Sequence, residues 1–241
     1  MGRTLYKEKI ANYLNHDQKT DELGFDNTRL SYIPEYFSSY VEQERIPNFV
    51  CLVSRFGEVA HYSHQGFKNI ESKEKIDNET IFRIYSMTKP ITSVAIMMLY
   101  ERGLIRLEHE LYRYLPEFKN TEVWVTGDIN NFKTKPLNNP ILIRDLLTHT
   151  AGFTYDFMLG HPAIGLYRKN GLHDYKNIET QEEMDLEEFC NKLSRLPLLF
   201  DPGEKWHYSC SIDILGRVVE VVSGMKLDAF FRENIFNPLE M

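Results

Sequence analysis

The chain has 241 residues and a net charge of −7, and 42% of its residues are hydrophobic. A chain of this size and composition can bury one substantial core or two modest ones, so the sequence indicates a soluble globular protein. The acidic charge balance without a concentrated basic face argues against nucleic-acid binding. No stretch approaches the roughly 18 uninterrupted apolar residues that a membrane span needs, so no membrane partner is expected.

The first residues of the chain, 1–24, are polar and weakly patterned, and we interpret them as an N-terminal extension. They contain no apolar run typical of a secretion signal. The three cysteines, Cys51, Cys190 and Cys210, are an odd number at wide spacings, which suggests neither a disulfide framework nor a zinc site. These features together predict a reducing, cytoplasmic location.

A helix followed by a hairpin is predicted after the extension. From residue 27 onwards, apolar residues recur every three or four positions, which is the stripe of an amphipathic helix: Leu30, Ile33, Phe37 and Val41. The next segment, "FVCLVSRFGEVAHYSHQGF", reads as two β-rich runs joined by "RFGE". It predicts a β-hairpin with Gly57 in the turn.

Ser86 lies where a short apolar segment, "TIFRIYS", meets the longer run "MTKPITSVAIMMLYERG". The longer run is apolar almost all round and predicts a buried helix. Pro90 suits the first turn of that helix, and Gly103 suits the residue that ends it. Ser86 is therefore expected immediately before the N-terminus of a buried helix.

The remaining chain changes in character. Helical spacing and loops dominate residues 104–204, with a polar loop-like stretch at 120–139, and "SIDILGRVVEVVSG" then predicts an amphipathic helix that ends at Gly224. We predict an α/β region formed by residues 25–103 and 205–241, with a mostly helical region at 104–204 between them.

The spacing Ser-x-x-Lys could mark a nucleophile and its base, but it occurs three times: at Ser72 and Lys75, at Ser86 and Lys89, and at Ser223 and Lys226. A serine hydroxyl needs a base and a place for the developing oxyanion, and a helix N-terminus favours negative charge. The first pair lies in a charged segment, and the third lies at a helix C-terminus where the dipole has the wrong sign. Only Ser86 and Lys89 have the required context, although Ser86 could instead merely cap the helix.

Three segments in order, "SMTKPITS", "IRDLLTHTAG" and "DPGEKWHYSCSIDILGRVVEVVSG", resemble the serine β-lactamase-like superfamily. The resemblance is to the branch that holds class C β-lactamases and family VIII carboxylesterases, and it runs from about residue 25 to the last residue. It implies an α/β (α+β) fold, with an antiparallel sheet flanked by helices and a mostly helical inserted region.

The same resemblance implies three catalytic residues. Ser86 would be the acylated nucleophile, Lys89 would help to activate it, and Tyr208 would be the partner base and the proton donor to the leaving group. The chemistry is reasonable because a phenolate is stabilised next to an ammonium group. The resemblance implies no cofactor and no metal.

Two departures from the family pattern affect the expected activity. Cys210 stands two residues after Tyr208, where β-lactamases have an asparagine, and a thiol cannot replace the paired hydrogen-bonding functions of an amide. The chain also ends at "FNPLEM", where the family continues with further strands and a third motif. We therefore expect a truncated copy in which the C-terminal strands and one oxyanion-hole N–H are missing.

The function predicted from the sequence is that of a serine hydrolase, most simply a carboxylesterase acting on a small ester or amide. The alternatives are a β-lactamase or D-Ala-type peptidase, an acyltransferase, or an inactive family member that acts as a binding protein. A Ser-His-Asp enzyme built on His149 is disfavoured because the chain contains no Gly-x-Ser-x-Gly sequence. We interpret His149 as a residue that shapes its loop, and the oligomeric state stays open.

Overall fold

The computed structural model describes residues 20–172 and 184–241. Most of the predicted N-terminal extension lies outside the described residues, and residues 20–24 form a turn. The described chain forms two compact units. One contains the residues up to Ile84 together with Phe236–Met241, and the other contains Tyr85–Ile235. The described helices are all too short or too polar to span a bilayer.

The first unit contains one long helix and an antiparallel sheet. Its elements are helix α1 (Asn27–Glu42) and strands β1 (Asn48–Arg55), β2 (Glu58–Asn69) and β3 (Glu74–Lys75). The strand order is β1-β2-β3. The predicted helix and hairpin are both confirmed, and Gly57 takes a positive φ of 79° in the turn, a conformation that glycine adopts without a steric penalty.

Local chemistry defines the bounds of α1, and aromatic packing holds it on the sheet. The Asp26 side chain caps its N-terminus by accepting the N–H of Arg29 at 3.1 Å, a common way to satisfy a free helical N–H. On the side facing the sheet, the Phe37 ring lies 5.2 Å from the ring of Phe49 in β1. The apolar stripe predicted from the sequence therefore includes a contact with the sheet.

The second unit is mainly helical and contains one hairpin. Its elements, with α8 in the C-terminal segment of the first unit, are a 3₁₀ turn (Tyr85–Met87), α2 (Thr88–Glu101), 3₁₀ turns at Leu111–Arg113 and Pro116–Asn120, β4 (Glu122–Asp128), β5 (Asn131–Pro136), α3 (Ile143–Leu147), α4 (Ile164–Lys169), α5 (Leu186–Leu193), α6 (Ser211–Ser223), α7 (Leu227–Phe231), a π-helical turn (Arg232–Phe236) and α8 (Asn237–Leu239).

Helix α6 lies at the centre of the second unit and contacts α2, α3, α5 and α7. Its buried residues include the predicted apolar positions Ile212, Leu215 and Val219. Gly216 allows close approach, because an added Cβ would lie 2.9 Å from Leu227 and 3.2 Å from Leu186. Close helix packing of this kind fixes the first turn of α6, which carries part of the site described below.

The polar stretch at 120–139, expected to be a loop, instead forms the β4–β5 hairpin. The β-rich run that includes Val123 and Trp124 explains it, and the Trp124 ring stacks on Phe132 at 4.8 Å. The backbone N–H of Trp124 also donates to the Leu198 carbonyl at 2.9 Å. The second unit is therefore helical with one hairpin, and the overall class is mixed α/β with antiparallel sheets, as predicted. The region bounds 25–103, 104–204 and 205–241 stay a prediction.

Helix α2 differs from the buried helix that its composition predicted. Ala95, Ile96 and Leu99 are fully buried, yet Val94 is 48% exposed and Met97 is 41% exposed. The buried side chains form one side of the helix, where α2 packs in the second unit against α6 and α7. Although the sequence of α2 is apolar almost all round, the described residues cover only one side of this helix.

Candidate active site

Ser86 lies in the 3₁₀ turn that leads into α2. The preceding residue, Tyr85, has a positive φ of 43°, an unfavourable conformation for a bulky side chain that is found mainly where tertiary structure imposes it. The N-cap position of α2 is Met87, and the Ser86 hydroxyl is directed to Tyr208 instead of to the helix backbone. Ser86 is thus not the capping residue of α2.

The three residues that the family resemblance implied lie together. The Ser86 Oγ is 2.6 Å from the Tyr208 Oη, across a sequence separation of 122 positions. The Lys89 ammonium donates to the same Oγ at 3.3 Å. Because Lys89 lies one turn after Ser86 on α2, and Tyr208 lies in the segment before α6, the packing of α2 against α6 brings the three side chains into contact.

Lys89 determines the electrostatics around the phenol. Its Nζ lies 4.8 Å from the centre of the Tyr208 ring and 5.4 Å from the centre of the Tyr155 ring. Burial raises the pKa of Tyr208, but the interactions of its hydroxyl with Lys89 and Ser86 and the positive charge of Lys89 outweigh burial, so the pKa is lowered overall. Tyr208 therefore ionises to the phenolate more readily than an ordinary tyrosine does.

His149 holds the segment that carries Tyr208. Its carbonyl accepts the N–H of His207 at 2.8 Å, its Nδ1 accepts the N–H of Ser209 at 3.3 Å, and its ring lies 4.9 Å from the Tyr208 ring. Burial and the positive charge of Lys89 lower the pKa of His149, which favours the neutral ring that this acceptor role requires. These contacts agree with a role of His149 in shaping its loop, and they show that the loop packs against Tyr208.

The cavity beside Ser86 has a volume of about 260 Å³. Its polar wall contains Ser86, Lys89, Tyr208 and Asp213, and its apolar wall contains Tyr155, Phe157, Leu186, Ile212 and Leu227. The rings of Tyr155 and Phe157 stack at 4.8 Å. Larger cavities in the described residues, of about 360, 410 and 610 Å³, are lined by no serine or cysteine. The chemistry and the cavity therefore coincide at Ser86.

The other two Ser-x-x-Lys matches do not form a serine–lysine contact. The Ser223 hydroxyl donates to the Val219 carbonyl at 2.6 Å, and Lys226 lies 3.4 Å from the Asp185 carboxylate. Ser72 lies in the exposed turn between β2 and β3. Of the three Ser-x-x-Lys sequences, the one that the sequence context favoured is thus the one whose serine and lysine are in contact.

Two residues that follow Tyr208 in the sequence, Cys210 and Asp213, lie in different environments. Cys210 is fully buried, and burial raises its pKa well above the usual value, so it is an inert core thiol. Asp213 was not singled out from the sequence, yet it lies in the first turn of α6 and lines the cavity. No local sequence signal separates it from an ordinary carboxylate in the first turn of a helix.

Comparisons with known proteins agree with this arrangement. Residues 33–241 match the model of the Beta-lactamase family. Esterase EstB of Burkholderia gladioli is 33% identical over 205 residues, which cover 85% of this chain and 48% of the esterase. Monacolin J acid methylbutanoyltransferase of Aspergillus terreus is 32% identical, over 84% of this chain and 48% of the enzyme.

A solved structure gives the same result for the fold. EstCE1, described as a hydrolase with promiscuous acyltransferase activity, is 30% identical and superposes with a TM-score of 0.73, covering 92% of this chain and 52% of its own. The chain thus spans about half the length of the relatives that it matches. Family model, relatives and fold agree, and the chain belongs to the Beta-lactamase family.

Proposed function

We propose that the protein is a serine hydrolase that forms an acyl-enzyme through Ser86, and that it acts as a carboxylesterase on small esters. The contact of the Ser86 Oγ with both the Tyr208 hydroxyl and the Lys89 ammonium carries the proposal, because a serine hydroxyl needs such partners to become a nucleophile. We also infer a cytoplasmic location, which the absence of a disulfide among the three cysteines supports.

In the proposed acylation step, the Ser86 Oγ attacks the ester carbonyl carbon while its proton passes to the Tyr208 phenolate. Lys89 stabilises that phenolate beforehand, since its positive charge lowers the pKa of Tyr208. The tetrahedral intermediate then collapses, the bond from carbon to the leaving oxygen breaks, and Tyr208 returns the proton to the leaving alcohol.

In the proposed deacylation step, the acceptor decides the product. With water as the acceptor, Tyr208 removes a proton from the water as its oxygen attacks the acyl carbon, and Ser86 takes that proton back as it leaves. With an alcohol as the acceptor, the same steps yield a new ester. The acyltransferases among the relatives favour this second reaction as an alternative function.

The apolar wall of the cavity supports a small acyl group over a strongly polar one. Phe157, Leu186 and Leu227 line the cavity and, together with the Tyr155 ring, offer apolar surface to a short hydrocarbon chain. A β-lactam is the less favoured substrate, because the buried Cys210 replaces the amide expected for its recognition.

A fluorophosphonate probe tests the proposal, since a single phosphonylation event reports the nucleophile without requiring turnover. We expect the native chain to be labelled and the adduct to map to Ser86 by peptide mass spectrometry. Ser86→Ala should abolish labelling. Ser72→Ala is the matched control, because it removes the serine of another Ser-x-x-Lys sequence and should leave labelling unchanged. Labelling that persists in Ser86→Ala would contradict the proposal.

The acceptor is tested by following p-nitrophenyl esters of increasing acyl length, with and without added alcohol. A carboxylesterase releases the free acid in both conditions. An acyltransferase instead yields mainly the new ester when alcohol is present. Preference for long acyl chains over short ones would contradict the small-ester assignment.

A further inference from the structure

Two opposite charges line the cavity beside Ser86. Of the described residues that line it, Lys89 is the one basic side chain and Asp213 is the one acidic side chain. The proposed acyl transfer uses Lys89 and Tyr208 and gives Asp213 no role. Asp213 thus lines a cavity of about 260 Å³ that also holds the proposed proton-transfer pair, with no role assigned to its carboxylate.

The position of Asp213 is fixed by the helix that carries it. Its N–H donates to the Cys210 carbonyl at 3.0 Å, which closes the first turn of α6. The flanking side chains, Ile212 and Ile214, are buried. Asp213 therefore cannot move away from the cavity without disturbing the central helix of the unit.

Electrostatic coupling connects Asp213 to both members of the pair. Burial raises the pKa of Asp213 to about 6, and the positive charge of Lys89 opposes that increase. The negative charge of Asp213 in turn raises the pKa of Tyr208, against the lowering by Lys89. The phenol thus experiences a cation that favours its ionisation and a carboxylate that disfavours it.

We propose that Asp213 is a positioning residue of this site: its carboxylate is the charge that opposes Lys89 in this cavity, and it sets how readily Tyr208 gives up its proton. The inference rests on the proposed function of Ser86, Lys89 and Tyr208. Asp213 touches no reacting atom in it, and acts on the pair through space.

Other charged and titratable groups surround this part of α6. They are Lys89 in the same cavity, His149 beside Tyr208, Cys190 and Cys210 in the core, and Asp185, Glu220, Lys226 and Asp228 around a neighbouring cavity that Asp213 also lines. Glu220 is paired with Arg217 at 3.1 Å, and Asp185 lies 3.4 Å from Lys226. Of these carboxylates, Asp213 alone lines the cavity that contains Tyr208.

The test measures the ionisation of Tyr208 directly, by NMR of protein labelled with ¹³C at the tyrosine Cζ. The Tyr208 resonance is assigned by its loss in Tyr208→Phe. Asp213→Asn removes one negative charge, so Tyr208 should ionise at a pH lower by roughly half to one pH unit. Asp213→Ser removes the same charge, should give the same shift, and replaces the asparagine variant if that variant folds poorly. Asp213→Glu keeps the charge and should retain the native titration.

Asp228→Asn is the matched control. It makes the same change of charge on the adjacent helix α7, at a side chain that is 73% exposed, and it should leave the Tyr208 titration unchanged. An unchanged Tyr208 titration in folded Asp213→Asn and Asp213→Ser would overturn the inference. So would an equal shift in Asp228→Asn, because the effect would then be one of net charge.

The pH dependence of fluorophosphonate labelling provides a second readout. If the Tyr208 phenolate is the base, the labelling rate of the native chain rises with pH, and that rise should move to lower pH in Asp213→Asn. A purely structural role would lower the rate at every pH without moving the rise, and would overturn the inference. Because the NMR titration needs no reaction at Ser86, an unreactive Ser86 would contradict the proposed function while the titration still decided the role of Asp213.

Discussion

At the scale of single residues, the hydroxyl of Tyr208 is the group that distinguishes this site from an ordinary serine on a helix. Its ring is packed independently of that hydroxyl, against His149 at 4.9 Å and Tyr155 at 5.4 Å. A substitution can therefore remove the proton acceptor and retain the packing. The proposed general base is thus separable from the structural role of the aromatic ring.

Tyr208→Phe should lower the rate of Ser86 phosphonylation by about 10²- to 10⁴-fold, the usual contribution of a general base. The melting temperature should stay close to that of the native chain, since the ring contacts remain. Tyr100→Phe is the control, because Tyr100 is an exposed tyrosine on α2. A labelling rate in Tyr208→Phe equal to that of the control would exclude Tyr208 as the base.

Asp213→Asn should stabilise the protein at neutral pH even though it disturbs the site. Burial raises the pKa of Asp213 to about 6, above the value of the unfolded chain, so the folded state binds the proton more tightly. The tighter binding of this proton stabilises the folded state fully below the pKa of the unfolded chain, and this contribution is lost as the pH rises through about 6. Removing the charge should therefore increase the free energy of unfolding at pH 7 by about 1–2 kcal/mol.

Urea unfolding at pH 7 and at pH 4 measures this effect. The native chain should be less stable relative to Asp213→Asn at pH 7 than at pH 4, because Asp213 is protonated at the lower pH. Equal differences between the two proteins at both values would contradict the raised pKa.

At the scale of elements, Asp201 connects the β4–β5 hairpin to the segment that leads to Tyr208. Its carboxylate accepts the Lys135 ammonium at 2.6 Å, the Asn138 N–H at 2.7 Å and the Asn138 side-chain amide at 2.8 Å. These bonds lower the pKa of Asp201, the Asn138 N–H having the largest effect. One carboxylate thus satisfies three donors at the end of the hairpin.

Asp201→Ala should lower the free energy of unfolding by about 2–4 kcal/mol, because hydrogen bonds to a charged group are stronger than neutral ones and their donors would be left unpaired. Urea unfolding provides the measurement. Glu204→Ala is the control, since Glu204 is half exposed and forms a surface ion pair with the neighbouring Lys205 at 3.1 Å, and it should cost less than about 1 kcal/mol. Equal losses in the two variants would contradict the connecting role of Asp201.

At the scale of the whole molecule, the reactivity of the three cysteines tests whether each of the two units is folded. Cys190 and Cys210 are fully buried in the second unit, whereas Cys51 in β1 is partly exposed. Burial raises the pKa of all three thiols, and a thiol reacts through its thiolate. Reactivity should therefore follow burial and separate the first unit from the core of the second.

Native protein should react slowly with a thiol reagent such as DTNB at Cys51 and not at Cys190 or Cys210, and all three should react in guanidinium chloride. Cys51→Ser should abolish the reaction of the native protein and leave the two core thiols available after unfolding. Fast reaction of Cys210 in the native protein would contradict the packing of the segment that carries Tyr208.

The sequence by itself determined the elements whose information is local. The apolar spacing of α1 and α6, the hairpin turn at Gly57 and the context of Ser86 before a helix all follow from residues within a few positions of each other. The β4–β5 hairpin was missed because its strands lie in a polar stretch, and the Trp124–Phe132 stack and the bond to Leu198 that stabilise it are contacts between separated residues.

The tertiary structure alone decided the remaining features of the site. The family resemblance implied Tyr208, but its contact with Ser86 spans 122 positions and depends on α2 packing against α6. Asp213 attracted no attention in the sequence because a carboxylate in the first turn of a helix is commonplace. Only the packing of α6 shows that Asp213 lines the same cavity as Lys89 and Tyr208. Sequence spacing fixes which side chains share a helix face, whereas the proximity of side chains on different elements is set by how those elements pack.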